Sequence, residues 1–220
     1  QCQAVPAGAA QCRQRRCRGL DLQLQISGQG LVLLILQTGD GTMSVEHSVS
    51  GVISVIRQPN SLLCWATAYT MMRSWKHQQS FGIRDAVAAV DASYGTMFDK
   101  NEGMPSGEFT RFLRLASMTH QPMWNLPIEG WTRLLRNRGL LWVGTLGVVS
   151  PGTYLHSRLL ERISGDGSSG GTKFHIIDPE NGSRYTETFE VFLARYEGAF
   201  TLSQPSKPSG FKEYFQIRHF

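Results

Sequence analysis

The stretch RQPNSLLCWATAYTMMRSWK, residues 57–76, decides how the rest of the chain is interpreted. After a polar turn, its apolar residues follow the i, i+3, i+4, i+7 spacing of a helix with one buried face: Trp65, Ala68, Tyr69, Met72 and Trp75. Cys64 stands at the first turn of that helix, where free N–H groups and the helix dipole favour an anion such as a thiolate. A structural cysteine would more naturally lie in the middle of the apolar face. On this stretch alone, Cys64 is as readily a small buried hydrophobe as a reactive thiol.

The composition is that of an ordinary globular protein. The 220 residues are 41% hydrophobic and 18% charged, which is enough apolar surface for one domain with extra segments. The formal charge of +5 includes three arginines within residues 12–17, and without them the chain is only slightly basic. We therefore expect no nucleic-acid partner. The longest apolar run, LVLLIL at 31–36, is far shorter than the roughly 18 residues of a membrane span, so we expect no span.

The four cysteines do not form a recognisable disulfide or zinc pattern. Cys2, Cys12 and Cys17 cluster near the start of the chain, and pairing Cys64 with one of them would still leave an odd thiol. The spacing of Cys12 and Cys17 is not typical of zinc sites, and no suitable pair of histidines follows. We therefore predict a reduced-thiol protein that acts in a cytosol-like environment.

The composition along the chain suggests three regions. Residues 1–42 are expected to be an N-terminal extension that is flexible or part of a longer chain. Residues 43–200 form the predicted domain. In residues 201–220, SQPSKPSG reads as a linker, and the aromatic-rich FKEYFQIRHF is an end that could dock on the domain or on a partner.

Within the domain, helical patterns come first and strand patterns follow. Helices are predicted from Cys64, around 83–92, from Ser106 as N-cap through Ala116, and over about 128–138, where Gly139 ends the last one. Strands are predicted at LLWVGTLGVV, YLHSRLLERI, TKFHIIDP and RYTETFEVF, the last turning into a short helix that ends at YEG. Helices followed by a mostly antiparallel sheet define an α+β fold.

A nucleophilic thiol needs a base, and the base needs a group that orients it. Among the six histidines, four lie in polar or turn contexts that favour surface positions: His47, His77, His120 and His219. The other two, His156 and His175, lie on consecutive predicted strands joined by SGDGSSGG, which is typical of a hairpin loop.

The predicted hairpin favours His156 over His175 as the base. Pairing Ile163 with Thr172 puts His156 opposite Pro179, next to Asp178, although the loop leaves the register open by about two residues. His175 then pairs near the middle of the sheet, and it lies three residues before Asp178, so the two side chains point to opposite faces. His156 with Asp178 is therefore the predicted pair of base and orienting acid.

Acyl chemistry also needs hydrogen-bond donors for the oxyanion. The backbone N–H of Cys64 is one candidate. Gln58, six residues earlier in QPNSLLC, is the candidate side-chain donor, and Pro59 would stiffen the loop that carries it. The loop NEGMPSG and the tryptophans at 124 and 142 are candidates for lining substrate pockets, although each fits a turn or the core as well.

Two blocks of this sequence resemble a known family. QPNSLLCWATAYTMM, residues 58–72, resembles the active-site segment of bacterial papain-like cysteine peptidases, and most of all the branch of bacteriocin-processing peptidases and related secreted effector proteases. HSRLLERISGDGSSGGTKFHIIDPENG, residues 156–182, resembles the second block of that branch, with a histidine opening a strand and a later strand ending in Asp-Pro. FEVFLARYEG, residues 189–198, resembles its closing helix. The resemblance covers roughly residues 53–198.

The resemblance implies a papain-like cysteine peptidase fold, in which the Cys-bearing central helix packs on the antiparallel sheet. It also implies that Cys64 is the nucleophile, His156 the base, Asp178 the orienting acid and Gln58 the oxyanion-hole donor. Such a peptidase acts on a protein or peptide substrate and needs neither a metal nor an organic cofactor. One departure is Ser157, where many members have Ala or Val after the histidine.

The transporter-fused members of that branch carry membrane segments, and none is recognisable here. We therefore expect a free-standing effector or toxin protease, secreted or delivered into the cytosol of a target cell; the other possibility is a cytoplasmic enzyme. A cognate immunity or inhibitor protein is a candidate partner. These expectations rest on analogy with the family.

Two other functions remain open on the sequence alone. An acyltransferase or deamidase could use the same Cys-His-Asp residues, and the domain could be a catalytically silent binding module. Cleavage of a protein substrate would support the peptidase. Ammonia release without cleavage would support the deamidase, and failure to react with an electrophilic thiol probe would support the binding module.

Overall fold

The computed structural model describes residues 25–27, 30–32, 44–122, 124–149, 152–203 and 216–220. The chain divides into two units, Gln1–Thr42 and Met43–Phe220. In the first unit, the described residues form a short antiparallel hairpin of β1 (Gln25–Ser27) and β2 (Gly30–Val32). The rest of the predicted N-terminal extension, its three cysteines and most of the predicted linker before the C-terminal end lie outside the described residues.

The second unit combines helices with an antiparallel sheet, so the predicted α+β class is confirmed. Its described helices are α1 (Cys64–His77), α2 (Ile83–Ala88), α3 (Ala92–Asp99), α4 (Phe109–Leu115), α5 (Ile128–Arg138) and α6 (Phe189–Ser203). Its described strands are β3 (Val45–Ser48), β4 (Thr119–His120), β5 (Leu141–Val149), β6 (Gly152–Gly165), β7 (Lys173–Asp178), β8 (Ser183–Thr188) and β9 (Ile217–His219). Among these residues, no helix has the length and hydropathy needed to cross a bilayer.

The sheet is organised around the long strand β6. The strand order is β4-β9-β5-β6-β7-β8, and β3 pairs with the far end of β6. On one edge, β5 pairs with β6 from Gly152 to Leu160, whereas on the other edge β7 pairs with it only from Leu159 onward. The second edge of β6 over residues 152–158 therefore has no strand neighbour in the described part of the chain, and the start of α1 comes close to it.

Aromatic side chains hold the helices on the sheet. Phe112 of α4 makes edge-to-face contacts with Trp65 and Tyr69 of α1 and with Trp142 of β5, at centroid distances of 5.7, 4.9 and 6.4 Å. A second cluster joins α5, α6 and β7 through Trp131, Phe174, Phe192 and Tyr196. Burial of each such side chain stabilises the fold by about 2–3 kcal/mol. The first cluster fixes α1, and with it Cys64, against β5.

Two of the predicted helix boundaries are wrong. The helix expected around 83–92 ends at Ala88, and a separate helix, α3, follows because Asp91 caps it by accepting the N–H of Ser93 at 2.9 Å. Ser106 is not the N-cap of α4, since a 3-10 turn over Ser106–Glu108 precedes that helix. The bounds predicted for α5 are confirmed, with Gly139 at a positive φ of 72° just after its end.

The predicted register of the hairpin between β6 and β7 is wrong by two residues. Ile163 pairs with Phe174 rather than Thr172, because the loop retains Thr172: its hydroxyl accepts the N–H of Gly167 at 3.0 Å. A bulge after Leu160 then moves the pairing back by one residue, so Leu159 pairs with Ile177 and the register there differs from the predicted one by a single residue. Continued beyond the end of β7, this register places His156 opposite Glu180, two residues after Asp178, which is within the two residues allowed for.

The C-terminal end of the chain belongs to the sheet. β9 lies between β4 and β5, with Arg218 opposite Trp142 on one side and opposite His120 on the other. From the sequence, this end could dock on the domain or on a partner. Residues 217–219 dock on the domain.

Candidate active site

Cys64 is the first residue of α1, as the sequence predicts. Leu63 precedes it as N-cap without a side-chain cap, and the first turn contains no acidic residue. The first N–H groups of a helix have no partner within the helix, so this end favours a negative charge. Cys64 carries no disulfide and is partly exposed. The position therefore suits a thiolate that substrates can reach.

His156 and Asp178 are hydrogen-bonded in a buried part of the sheet. Nε2 of His156 lies 2.7 Å from Oδ1 of Asp178, and the ring nitrogen donates because a carboxylate can only accept. The residues are 3% and 7% exposed. The same Oδ1 accepts the backbone N–H of Glu180 at 2.9 Å. Because Nε2 is engaged in this way, Nδ1 is the nitrogen left for the thiol of Cys64.

The thiol and the imidazole shift each other's protonation. Burial by itself raises the pKa of Cys64, but the hydrogen bond and the charge of His156 outweigh it and lower that pKa. Burial by itself lowers the pKa of His156, but its bonds to Asp178 and Cys64 raise it to about 9. Both directions favour a thiolate beside an imidazolium. Among the described residues, Nδ1 has no partner with full hydrogen-bond geometry, so proximity and charge link it to the sulfur.

Asp178 stays ionised although it is buried. Burial raises the pKa of its carboxyl, but the hydrogen bond and charge of His156 outweigh this, helped by the N–H of Glu180 and the charge of Arg158, so the pKa falls below its usual value. The carboxylate can therefore hold an imidazolium over the whole neutral range.

Ser157 is a site residue that the sequence reasoning missed. Its backbone N–H and its hydroxyl both lie close enough to the sulfur of Cys64 to lower the pKa of the thiol. The side chain is 6% exposed, at the part of β6 that has no β7 neighbour. The signal available in the sequence was the departure from Ala or Val at this position, which was noted without a role attached to it.

Gln58 lies near the site but is not among the residues that line the cavity at Cys64. Its backbone N–H donates to the carbonyl of Pro179 at 2.7 Å, which ties its loop to the turn after Asp178. Its side-chain Nε2 donates to the carbonyl of Ser61 at 3.2 Å. Gly182, at a φ of +59°, permits this approach, since a Cβ there would lie 2.6 Å from that of Arg57.

A cavity of about 160 Å³ opens beside Cys64 and His156. The candidate loop NEGMPSG lines it through Gly103 and Met104, whereas Trp142 does not line it and Trp124 lines a different pocket. The remaining lining residues are Ser61, Leu62, Trp65, Phe109, Tyr154, Leu155, Ser157 and Arg218. The cavity is thus mainly apolar, and Cys64 forms part of its wall.

Tyr154 packs its ring edge-to-face on His156 at a centroid distance of 5.5 Å. Burial and a hydrogen bond with Glu180 raise the pKa of its phenol. Its ring also fills the space above Gly147, where a Cβ would collide with it. Tyr154 therefore covers one side of the imidazole that bonds Asp178.

His175 is not part of this site. Its Nε2 lies 2.8 Å from the hydroxyl of Ser164, it pairs with Arg162 across the hairpin, and it does not line the cavity. Burial, together with the charge of Arg162, lowers its pKa. The preference for His156 as the histidine beside Asp178 agrees with this geometry.

Three neighbouring side chains are of kinds that can bind a metal ion. Their ligand atoms lie within 4.8 Å of one another, and they belong to His156, Asp178 and Glu180. The nitrogen and oxygen of the first two already share a hydrogen bond at 2.7 Å, and Glu180 is exposed. This arrangement holds a proton between His156 and Asp178 rather than presenting both atoms to an ion.

A thiol at the start of a helix, facing an imidazole that a carboxylate holds from a neighbouring strand, is characteristic of papain-like cysteine proteases. Comparison with protein-family models assigns the chain to the same class. The family described as papain-like cysteine protease AvrRpt2 matches residues 45–197, and the chain belongs to this family. The predicted papain-like α+β fold is thereby confirmed, and membership implies a protein substrate. A search of the curated proteins finds no match. β9 lies outside the matched residues.

Proposed function

We propose that this protein is a cysteine peptidase in which Cys64, His156 and Asp178 act as a catalytic triad. The observation that carries the proposal is the imidazole of His156, which contacts the thiol on one side and bonds the buried carboxylate at 2.7 Å on the other. The opposite pKa shifts of Cys64 and His156 support an activated thiolate. The cavity beside the sulfur gives a substrate access to it.

The proposed reaction proceeds through an acyl-enzyme. The thiolate of Cys64 attacks the carbonyl carbon of the peptide bond, and the carbonyl oxygen becomes an oxyanion. As the C–N bond breaks, the Nδ1 proton of His156 passes to the leaving amine, which leaves a thioester on Cys64. His156, now neutral, takes a proton from a water molecule whose oxygen attacks the thioester. Release of the acid restores the thiolate and the imidazolium, while Asp178 stays ionised throughout.

Gln58 is proposed as the side-chain donor for the oxyanion, together with the N–H of Cys64. In its favour, its loop is fixed next to Asp178 and Nε2 has a second hydrogen beyond the one donated to Ser61. Gln58→Ala should lower kcat by about 10²-fold or more while leaving the alkylation rate of Cys64 unchanged, because alkylation forms no oxyanion. A loss of both would point to a damaged loop instead.

The resemblance of the two sequence blocks supports a place in the branch of bacteriocin-processing peptidases and secreted effector proteases. We propose accordingly that the protein is a delivered effector or toxin protease that acts in the cytosol of a target cell, with a cognate inhibitor as partner. A fusion of the protein to a reporter that is active only in the target-cell cytosol tests delivery. Signal equal to that of an undelivered control would contradict it.

The proposed activity can be tested by identifying new protein N-termini in bacterial lysate treated with the protein. The wild type should generate N-termini that Cys64→Ala and His156→Ala do not, while His175→Gln serves as a matched control that cleaves like the wild type. Triad residues act as a unit, so the double variant should be no worse than either single one. Ammonia release without new N-termini would replace the peptidase by a deamidase. Cleavage by Cys64→Ala would end the proposal.

A further inference from the structure

Arg158 is a fully buried cation next to the proposed triad. It follows His156 by two residues on β6, so both side chains leave the same side of the strand, and it is 1% exposed. Its Nε donates to the hydroxyl of Thr145 at 2.7 Å, and Nη1 donates to the hydroxyl of Tyr185. Nη1 also forms an ion pair with Oε1 of Glu187 at 2.9 Å.

Stability alone is a poor reason for this arrangement. Taking an ion pair out of water costs several kcal/mol per ion, and buried pairs are often no more stable than apolar replacements. Apolar side chains would fill the space between β6, β8 and α6 without that cost. Arg158 also keeps one donor, Nη2, without a hydrogen-bond partner among the described residues. The charge therefore requires another explanation.

The position of Arg158 beside Asp178 explains why a charge is buried here. Leu159 pairs with Ile177, and the same antiparallel register, continued by one residue, places Arg158 beside Asp178. The charge of Arg158 acts on the carboxyl of Asp178 and lowers its pKa. The other titratable groups around this point are His156, Tyr154, Glu180, Cys64, Tyr185, Glu187 and Arg195.

The charged groups on either side of Arg158 form a line of alternating charges from the thiol to the surface. The line begins with the Cys64 thiolate and the His156 imidazolium, continues through Asp178 and Arg158, and reaches Glu187. Oε2 of Glu187 lies 3.2 Å from Nη1 of Arg195, whose side chain is 39% exposed. We propose that Arg158 is a positioning residue that holds Asp178 as the carboxylate partner of His156, and that Glu187, shared with Arg195, moderates its effect. This proposal rests on the triad proposed above.

Replacing Arg158 and replacing Glu187 should change the ease of protonating the site in opposite directions. A nearby cation makes proton uptake harder at Cys64, His156 and Asp178 alike, so removing it makes the whole site easier to protonate. Removing the carboxylate of Glu187 has the reverse effect, because Arg158 then acts on Asp178 without its counter-charge. A role in packing alone would predict that both substitutions loosen the site and move Cys64 toward an ordinary thiol.

The test measures alkylation of Cys64 by iodoacetamide between pH 3.5 and 9, followed by peptide mapping with mass spectrometry on the full chain. The acid midpoint should rise by about half a pH unit or more in Arg158→Gln and fall by a similar amount in Glu187→Gln. Arg158→Lys, which keeps the charge, should stay near the wild type. Circular dichroism of each variant shows whether it is folded.

Arg195→Gln keeps the proposal testable if Arg158→Gln does not fold. Its side chain is half-exposed, and its removal should leave Glu187 more negative toward Arg158, so the midpoint should rise by less than in Arg158→Gln. Shifts of the same sign in Glu187→Gln and the arginine variants, or no shifts at all, would overturn the role of Arg158. If instead wild-type Cys64 has a midpoint near that of an ordinary thiol, about 8.5, the proposed triad itself fails.

Discussion

Replacement of Cys64 by serine should make the stability of the protein depend on pH in a range where the wild type is insensitive. The reason is the proton that the thiol and the imidazole of His156 share. Burial works against both charged forms. The bonds of His156 to Asp178 and Cys64 nevertheless raise the pKa of its imidazole to about 9, and the contacts of Cys64 with His156 and Ser157 lower the pKa of its thiol.

The two groups contribute to stability with opposite dependence on pH. A histidine whose pKa is raised by folding contributes stability that is complete below its unfolded pKa, about 6.5, and is lost as the pH rises through about 9. A thiol whose pKa is lowered contributes stability that is complete above its unfolded pKa, about 8.5, and is lost as the pH falls through its native value. Between pH 6.5 and 8.5 the native thiolate–imidazolium pair and the unfolded thiol and imidazole each hold one proton, so the slopes cancel.

Serine does not ionise, so the cancellation disappears in Cys64→Ser. Its native state binds one proton more than its unfolded chain until His156 is deprotonated. The free energy of unfolding should therefore fall relative to the wild type by up to about 1.4 kcal/mol per pH unit. The rise of the His156 pKa from 6.5 to about 9 corresponds to about 3 kcal/mol, which bounds the total fall, since the variant lacks the part of that rise due to the thiolate.

Urea unfolding followed by tryptophan fluorescence at several values between pH 6.5 and 8.5 measures this difference. Groups that titrate equally in both proteins drop out of it. The double variant Cys64→Ser, Asp178→Asn is the control, and its dependence on pH should be flatter because His156 has lost the carboxylate that holds its proton. Parallel curves for Cys64→Ser and the wild type would mean that the native pair is an uncharged thiol and imidazole, which would refute the reasoning.

Three further predictions concern single side chains. Asp178→Asn retains an acceptor for His156 but not the charge, so the pKa of the imidazole, read from its NMR shift, should fall by more than about one unit; an unchanged value would mean that another group holds the ring. Ser157→Ala removes one donor to the sulfur of Cys64, so alkylation at pH 6 should slow about fivefold, whereas equal rates would show that the hydroxyl has no effect. His175→Gln should keep peptidase activity within about twofold, since His175 lies outside the cavity, and an inactive protein would place a second histidine in the mechanism.

Much of the fold could be predicted from local patterns. The start of α1 at Cys64, the bounds of α5 and the approximate positions of β5–β8 follow from side-chain periodicity and from Gly139, and all of these are properties of a few neighbouring residues. The separate helix α3 was missed because its capping residue, Asp91, follows an apolar pattern that reads as one continuous helix. The length of α6 was underestimated, since Gly198 does not end it.

The features that the sequence did not show depend on pairing between distant residues. Periodicity along one strand does not reveal a bulge such as the one after Leu160, because the partner strand must be known to count the residues opposite. β9 pairs with β5 across more than seventy positions of sequence, which no local pattern encodes. The donors on Cys64 and the charge beside Asp178 come from neighbours of His156 on β6 whose roles appear only once β7 is placed. The catalytic roles of Cys64, His156, Asp178 and Gln58 remain predictions.

The end of β7 determines both the position of the carboxylate and access to the thiol. Asp178 is its last residue, and Pro179, which has no N–H, cannot continue the ladder with β6. The carbonyl of Pro179 instead accepts the N–H of Gln58 at 2.7 Å, so the loop before α1 is fixed where the strand stops. Since β7 goes no further, no described strand pairs with Ser157 on that edge of β6, and its N–H lies close to the sulfur of Cys64. The Asp-Pro pair thus supplies the acid for the imidazole and opens the sheet edge at which the thiol lies.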